Sequence, residues 1–259
     1  MLAILLLAVG LAALLLDRPS HPWIHSLPRE CVEFFRAITD IGKSNWILWS
    51  TGLYLLLTMA IDWKQVNFRL RLSLIWTYCA FIFFSVASSG LIALVLKRII
   101  GRPRSKLFDS VGPLGFDMFH FSNSYVSFPS GHATTVAALA TALCLIFSNL
   151  LWLIVVCGFW LVASRIMVGA HYPSDVIAGI LLGMSVTLWT ARYMAKRRLG
   201  FATVPGEGIK PIVGSRMLGR AIATAFSNLG RVLARARFFG GEHLESVWSK
   251  DNETQSDDR

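Results

Sequence analysis

Long runs of apolar residues, separated by short polar segments, make up most of the chain between residues 2 and 194. A helix needs about 20 predominantly apolar residues to cross the ~30 Å hydrocarbon core of a bilayer. None of the runs alternates between apolar and polar residues as a barrel strand does, so helices are expected. The six predicted spans cover residues 2–16, 46–61, 72–96, 133–147, 151–168 and 176–194. The pattern therefore predicts an all-α, polytopic membrane protein built as a bundle of six transmembrane helices.

The composition agrees with a protein that lies in lipid. Hydrophobic residues make up 54% of the 259 positions and charged residues only 15%, which excludes a disordered or collagen-like chain. Three of the four cysteines lie inside apolar runs, so buried thiols are expected rather than a disulfide framework. The net charge of +10 would suit nucleic acid, but membrane proteins also collect basic residues at their cytoplasmic side. We therefore expect the lipid bilayer, and not nucleic acid, as the partner; the oligomeric state is left open.

The positions of the basic residues predict the topology. The first run has neither a basic start nor a small-residue cleavage pattern, so it is expected to be a retained span and not a signal peptide. Segments 62–71 and 192–198 carry several Lys and Arg residues, which places both segments in the cytoplasm. Six spans then leave both termini in the cytoplasm. Three segments lie outside, namely 17–45, 97–131 and 169–175.

The composition changes after Arg198, which divides the chain into a membrane domain, 1–198, and a basic cytoplasmic tail, 199–259. Within the tail, 215–239 places four arginines on one helical face and apolar residues largely on the other. An amphipathic helix on the anionic inner leaflet is one interpretation. A solvated helix or a poorly ordered tail is the other.

A basic cluster follows the third predicted span, on the outer side, against the usual charge rule. Its cations are Lys97, Arg98, Arg102, Arg104 and Lys106. Cations at this place need an acidic partner, and a polyanion would suit them. By itself the cluster is weak evidence, because basic side chains that snorkel from the end of a span explain it equally well.

A second motif, residues 128–132 (Phe-Pro-Ser-Gly-His), opens the fourth span. Ser130 and Gly131 can present side-chain and backbone donors, and the helix N-terminus adds partial positive charge. His132 would add a proton donor beside this anion cradle. A purely structural histidine at a helix start is the alternative.

A third motif joins the fifth and sixth spans. Arg165 lies near the end of a span, a costly position unless it faces an anion or a partner. His171 and Asp175 flank a Pro turn, and their spacing lets the carboxylate accept a hydrogen bond from one ring nitrogen. The other nitrogen is then free to act as a nucleophile. An interfacial histidine and a helix-capping aspartate would explain each residue singly, but not why all three motifs fall on one side of the membrane.

Together, the three motifs resemble the signature of the type-2 phosphatidic acid phosphatase superfamily, membrane lipid phosphate phosphatases related to the vanadium haloperoxidases. The second and third parts match at every fixed position, in residues 129–132 and in Ser164, Arg165, His171 and Asp175. The first part matches at Lys97 and Arg104 but has Ser105 where the family has Pro. A competing Arg102-Pro103 pair lies two residues earlier. The signature region is 97–175.

The resemblance implies a mechanism and a location. His171 would attack phosphorus and form a phosphohistidine, Asp175 would orient its ring, and His132 would protonate the leaving oxygen. The phosphate oxygens would be held by Lys97, Arg104, Ser130, Gly131 and Arg165. No metal or cofactor is implied. The site would lie at the outer, periplasmic face of a bacterial inner membrane.

Several functions stay open at this point. The substrate could be phosphatidylglycerophosphate, phosphatidic acid, undecaprenyl diphosphate or a lipid A phosphate. A lipid phosphotransferase would use the same intermediate, and a non-catalytic anion-binding protein or transporter is a less favoured alternative. An aromatic segment could be an apolar lid over the lipid tails or a packing plug; its residues are Phe108, Phe116, Phe119, Phe121 and Tyr125.

Overall fold

The structure, a computed structural model, describes residues 2–59, 69–119, 122–213 and 218–220. Helices form most of it. Their bounds are α1 Leu2–Leu15, α2 Asp17–His25, α3 Arg29–Thr39, α4 Ser44–Met59, α5 Arg69–Ile100, α6 Phe108–Val111, α7 Gly131–Ile146, α8 Leu151–Met167 and α9 Pro173–Lys196. Short 3-10 turns lie at Asp40–Gly42, Ser105–Leu107, Asn123–Tyr125 and Ser148–Leu150.

Helices lie at all six segments that the hydropathy pattern selects. Within the described residues, α5, α8 and α9 are long and apolar enough to cross a membrane, and α1 with α2 forms a fourth candidate bent by 50°. Helix α7 is apolar but only 16 residues long. The protein is therefore a mostly helical membrane protein. That it has six transmembrane spans stays a prediction.

Helices α7 and α9 pack closely because α9 carries two glycines four residues apart. A β-carbon on Gly179 would lie 2.5 Å from the carbonyl oxygen of Ser130, and one on Gly183 would lie 2.3 Å from that of Thr134. Small residues at this spacing let helix backbones approach, and in a membrane such van der Waals contact drives association. This contact brings the N-terminal ends of α7 and α9 together.

The other long helices pack around α7. Ile47 of α4 and Val86 of α5 meet Ala138 of α7 in one apolar cluster. A second cluster joins α7, α8 and α9 through Ala133, Val136, Val162 and Val176. Helix α7 is thus the centre of the bundle.

The structure departs from the all-α prediction in one β-hairpin, β1 Phe201–Val204 paired antiparallel with β2 Gly208–Pro211. Phe201 is fully buried, and its ring meets Phe81 of α5 edge-on at 4.8 Å. The start of the predicted tail therefore belongs to the folded body. Most of the predicted amphipathic helix, 215–239, lies outside the described residues; within 218–220, which are helical, Leu218 is buried in the same cluster as Phe201.

Candidate active site

Four helix ends meet at the end of the bundle opposite the hairpin. They are the C-termini of α5 and α8, which carry Lys97 and Arg165, and the N-termini of α7 and α9. The backbone N–H of Ser130 donates a hydrogen bond of 2.9 Å to the carbonyl oxygen of Asp175. The second and third motifs, more than thirty residues apart in the chain, are therefore joined by backbone.

His171 and Asp175 form a buried pair. Nδ1 of His171 lies 3.5 Å from Oδ2 of Asp175, and the two side chains are 5% and 0% exposed. The same Oδ2 accepts hydrogen bonds from Oγ of Ser127 at 2.6 Å and from the backbone N–H of Tyr172 at 3.1 Å. The carboxylate is thereby fixed against Nδ1, which leaves Nε2 as the nitrogen that can react.

Burial also favours the uncharged form of His171. It lowers the pKa of the imidazole, an effect that outweighs the opposing influence of Asp175, and the positive charges of Lys97 and Arg165 lower this pKa further. A neutral imidazole has a free electron pair, so the environment suits a nucleophile.

His132 lies at the first turn of α7, against the turn of residues 40–42. Its Nε2 is buried and has no hydrogen-bond partner within the described part of the chain. A β-carbon on Gly42 would lie 2.2 Å from this atom. The hydrogen bond from Lys43 lowers the pKa of Asp40, and the charges of Arg165 and His132 lower it further, which places this carboxylate at the edge of the site.

Lys97 is held by the loop that precedes α7. Its Nζ donates a hydrogen bond of 3.0 Å to the carbonyl oxygen of Val126. A β-carbon on Gly131 would lie 3.9 Å from the same Nζ. The cation of the first motif therefore lies directly beside the helix N-terminus of the second.

The two predicted phosphate-binding arginines share an unusual feature. Nε of Arg104 and Nε of Arg165 are both buried without a hydrogen-bond partner in the described residues. Nη1 of Arg165 donates to Oγ1 of Thr39 at 3.2 Å, which orients its guanidinium. Arg104 lies close enough to act electrostatically on both Arg165 and Lys97. Three cations thus gather beside the two histidines.

Ser130 has a structural task besides the predicted contact with phosphate. It is fully buried and is the N-cap of α7, where its Oγ accepts a hydrogen bond of 3.4 Å from the backbone N–H of Ala133. Its own backbone N–H is engaged by Asp175. The neighbouring N–H of Gly131, at the first position of the helix, belongs to the group that an α-helix leaves without an intrahelical partner.

Arg102, the competing arginine of the first motif, is turned toward the protein. It is 1% exposed, and each of its three nitrogens donates to a buried protein oxygen, of Pro113, Ser174, Asp175 or Asp17. Arg104 is free of such partners at Nε. The geometry therefore favours Arg104 as the arginine that faces a ligand.

Backbone contacts determine the different orientations of Arg102 and Arg104. Gly101 has a φ of +59°, and a β-carbon there would collide with the carbonyl oxygen of Asp117 at 1.5 Å. Beyond this bend, the carbonyl oxygen of Arg102 accepts from the N–H of Ser127 at 3.0 Å, and the N–H of Arg104 donates to Ser124 at 2.9 Å.

Within the described residues, two rings of the aromatic segment are exposed and one packs against the protein. Phe116 and Phe119 are 50% and 63% exposed, while Phe108 stacks on His21 with ring centroids 3.8 Å apart. Phe121 lies outside the described residues. The exposed rings leave an apolar surface on the loop between α5 and α7.

Several residues at the site belong to no part of the three motifs. Thr39 and Gly42 flank Arg165 and His132, Ser127 holds Asp175, and Asp17 reaches the site from the N-terminal helices. Across the described ranges, no group of three or more His, Cys, Asp or Glu residues could hold a metal ion.

Comparison with known proteins identifies the family of the chain. The model of the PAP2 superfamily matches residues 78–199, which contain all three motifs. Lipid A 1-phosphatases of Rhizobium johnstonii and Rhizobium etli are each 38% identical over 206 residues, covering 76% of this chain and 81% and 85% of theirs. The crystal structure of a PAP2 type phosphatidylglycerolphosphate phosphatase from Bacillus subtilis is 17% identical, with a TM-score of 0.49, and the match covers 75% of this chain and 96% of that one. The resemblance of the motifs is confirmed: the chain belongs to the PAP2 superfamily.

Proposed function

We propose that this membrane protein is a lipid phosphatase that hydrolyses a phosphate monoester of a lipid A-type glycolipid and releases inorganic phosphate. One observation carries the proposal: three buried nitrogens, Nε of Arg104, Nε of Arg165 and Nε2 of His132, have no hydrogen-bond partner among the described residues. Buried polar groups in proteins are nearly always paired. A phosphate group, which offers several acceptor oxygens, would satisfy all three.

The cations would hold the phosphate and stabilise the charge of the transition state. Lys97, Arg104 and Arg165 come from two helix ends and one loop and gather beside the N-terminus of α7. Donors fixed before the reaction need no rearrangement when charge develops on the equatorial oxygens. In phosphoryl transfer this positioning and electrostatic stabilisation provide most of the catalysis.

In the first half-reaction the two histidines would have different roles. The electron pair on Nε2 of His171 attacks phosphorus, and the bond between phosphorus and the lipid oxygen breaks. Burial and the charge of Arg165 lower the pKa of His132 to about 4, so His132 would have to gain its proton together with the negative phosphate, whose charge stabilises the imidazolium. The imidazolium gives this proton to the leaving oxygen, and Asp175 stabilises the positive charge that develops on His171. The products of this step are the lipid alcohol and a phosphohistidine.

The second half-reaction uses the same groups in reverse. His132, now neutral, takes a proton from a water molecule as that water attacks phosphorus. The bond between phosphorus and Nε2 breaks, inorganic phosphate leaves, and His171 returns to its neutral form. No group outside the described site is required to balance the protons.

The curated relatives favour a lipid A-type substrate among the lipid phosphates, and an exposed apolar surface favours a lipid substrate in general. The lipid A 1-phosphatases match three quarters of this chain and more than four fifths of their own length. In addition, the loop that precedes α7 exposes Leu114, Phe116, Met118 and Phe119, an apolar surface suited to acyl chains beside the phosphate site. We place the site at the periplasmic face of the inner membrane, with both termini in the cytoplasm.

The direct test is phosphate release by the purified full-length protein in detergent. The panel contains lipid A, phosphatidic acid, phosphatidylglycerophosphate and undecaprenyl diphosphate, each assayed with and without an acceptor lipid. Mass spectrometry of the lipid A product identifies the phosphate that is lost. We expect loss of one phosphate from lipid A with release of inorganic phosphate.

Other outcomes would overturn parts of the proposal. Phosphate that appears only on the acceptor lipid would identify a phosphotransferase. A preference for another member of the panel by more than about tenfold in kcat/KM would reject lipid A as the substrate class. No turnover of any member, with the His171→Ala variant as the blank, would reject the activity itself.

A further inference from the structure

A buried cluster of three charged residues lies behind the proposed nucleophile. Arg102 stands between two carboxylates: its Nη2 is 2.6 Å from Oδ2 of Asp17, and its Nη1 is 2.5 Å from Oδ1 of Asp175. The three side chains are 1%, 0% and 0% exposed. We call Asp17, Arg102 and Asp175 the Arg102 cluster.

The cluster joins distant parts of the chain. Asp17 is the first residue of α2, while Asp175 lies in the first turn of α9. Oδ1 of Asp17 accepts from the backbone N–H of Ser174 at 3.0 Å, and Oδ2 accepts from the Ser174 hydroxyl at 2.6 Å. A carboxylate near a helix N-terminus is stabilised by the unpaired N–H groups and the helix dipole. Asp17 thus binds the N-terminal segment of the protein to the start of α9.

Arg102 is fully engaged by the protein. Its Nε donates to the carbonyl oxygen of Pro113 at 3.0 Å, and its Nη1 also donates to Oγ of Ser174 at 2.6 Å. The guanidinium carbon lies 4.6 Å from the centroid of the Tyr172 ring. This planar, forked set of contacts to two carboxylates and a ring is specific to arginine. Arg102 is not available to a substrate.

The contact that matters for catalysis is the one to Asp175. Arg102 holds Oδ1, while Ser127 and the backbone N–H of Tyr172 hold Oδ2, the oxygen that faces Nδ1 of His171. With both oxygens fixed, the carboxylate cannot rotate away from the imidazole. If Arg102 were lost, two buried carboxylates would remain near each other with no shared cation, at a high cost in free energy.

We infer that Arg102 and Asp17 are positioning residues for the His171–Asp175 pair. Arg102 fixes the orientation and charge of Asp175, and Asp17 fixes Arg102. Neither touches the substrate. The inference rests on the proposed function, because it concerns the nucleophile of that reaction, and it assigns a catalytic consequence to the N-terminal segment, which lies outside the three motifs.

The test compares two mild variants with matched controls. Arg102→Lys keeps the charge but can serve only one carboxylate at a time, and Asp17→Asn removes one charge while keeping the size. The controls are Arg18→Lys and Asp109→Asn, at exposed residues of the same two types. All four variants are assayed on the lipid phosphate that the parent turns over fastest, and their folding is checked by thermal unfolding in detergent.

We expect kcat of Arg102→Lys to fall at least tenfold and that of Asp17→Asn at least threefold. KM and the inhibition constant of inorganic phosphate should stay within about twofold, because the phosphate-binding cations are untouched. The controls should match the parent. An Arg104→Lys variant should differ by raising the inhibition constant of phosphate.

The pH dependence of kcat/KM distinguishes an effect on His171 from a merely structural role of the Arg102 cluster, because a structural role would not shift it. The charged groups that face His171 are Asp175, Lys97, Arg165 and His132. Removing the negative charge of Asp17 leaves Arg102 paired with Asp175 alone, which makes a charged His171 less favourable. The acid limb of kcat/KM in Asp17→Asn should therefore move to lower pH, by about 0.5 pH units.

Three outcomes would overturn the inference. Parent-like kcat and an unmoved acid limb in both variants would show that the cluster does not act on His171. A rise in KM with unchanged kcat would assign Arg102 to substrate binding. Failure of either variant to fold, while its matched control folds, would assign the cluster to folding alone. A parent without activity on every lipid phosphate would instead refute the proposed function.

Discussion

A β-carbon on Gly42 would lie 2.2 Å from Nε2 of His132 and 2.7 Å from Cγ2 of Val136. Both distances are far shorter than van der Waals contact, so any larger residue at position 42 must displace the imidazole or the turn that faces it. The 3-10 turn Asp40–Gly42 therefore lies directly against His132 of the proposed active site, although it belongs to none of the three motifs.

We expect Gly42→Ala to lower kcat by about 10-fold to 100-fold, because a shift of about 1 Å in a catalytic group has effects of this size. Gly90→Ala is the matched control, since an added β-carbon there meets nothing within 4 Å. The measurement is kcat and KM on one lipid phosphate. Equal activity of the two variants would mean that the position of His132 does not depend on Gly42.

The extent to which sequence anticipates this structure depends on the distance between interacting residues. Apolar runs predicted the helices because each helix satisfies its own backbone within one segment. The hairpin of residues 201–211 escaped prediction because its stability comes from Phe201 packing on α5, more than a hundred residues earlier. The turn at Gly206 and Gly208, both with positive φ, was the available local signal.

The same limit applies to the site. His171 and Asp175 are four residues apart, so their contact could be predicted from spacing. Asp17 meets Ser174 across 157 residues and Arg102 across 85. No local pattern encodes such contacts, because they arise only when α2 and α9 are packed. Burial likewise decided which of Arg102 and Arg104 faces the protein.

Removing either histidine should abolish phosphate release. His171→Ala removes the nucleophile and His132→Ala the general acid, a loss typically worth 10² to 10⁴-fold. The measurement is a single-turnover assay with ³²P-labelled substrate. Radioactive label should be trapped on the parent protein but not on His171→Ala. Retention of more than about a tenth of the parent kcat by a folded variant would contradict the assigned role.

The pH profile should reflect the environment of His171. Burial lowers the pKa of this imidazole below its ordinary value of 6.5, so the neutral, nucleophilic form persists into more acidic solution. We expect the acid limit of kcat/KM to lie below pH 6.5. Asp175→Asn removes the influence that opposes burial, so its acid limit should move lower still, at much reduced kcat. Substrate ionisation would give the same limit in both proteins, and that result would count against the assignment.

Excess EDTA should leave activity unchanged. In the proposed mechanism Lys97, Arg104 and Arg165 neutralise the charge of the phosphate, and no cluster of metal-binding side chains occurs among the residues that the structure describes. The assay compares initial rates before and after dialysis against EDTA. A loss of rate that added Mg²⁺ restores would require metal ligands elsewhere in the chain.

Ser105 provides the last test, because it stands where the family signature has proline. Arg104 already has an extended backbone, with φ −72° and ψ 158°, the conformation that a following proline imposes. Ser105 is also the first residue of a 3-10 turn, a position that proline tolerates. Against this, Oγ of Ser105 donates a hydrogen bond to the carbonyl oxygen of Gly169, and proline would remove that link between the first and third motifs.

We expect Ser105→Pro and Ser105→Ala to lower kcat/KM similarly, by no more than about fivefold, which is the loss of about one hydrogen bond. Arg104→Ala should lower kcat/KM by at least 100-fold, since it removes a charge-assisted contact to phosphate. A severe loss in Ser105→Pro alone would show that the backbone N–H or the backbone conformation of residue 105 supports the site.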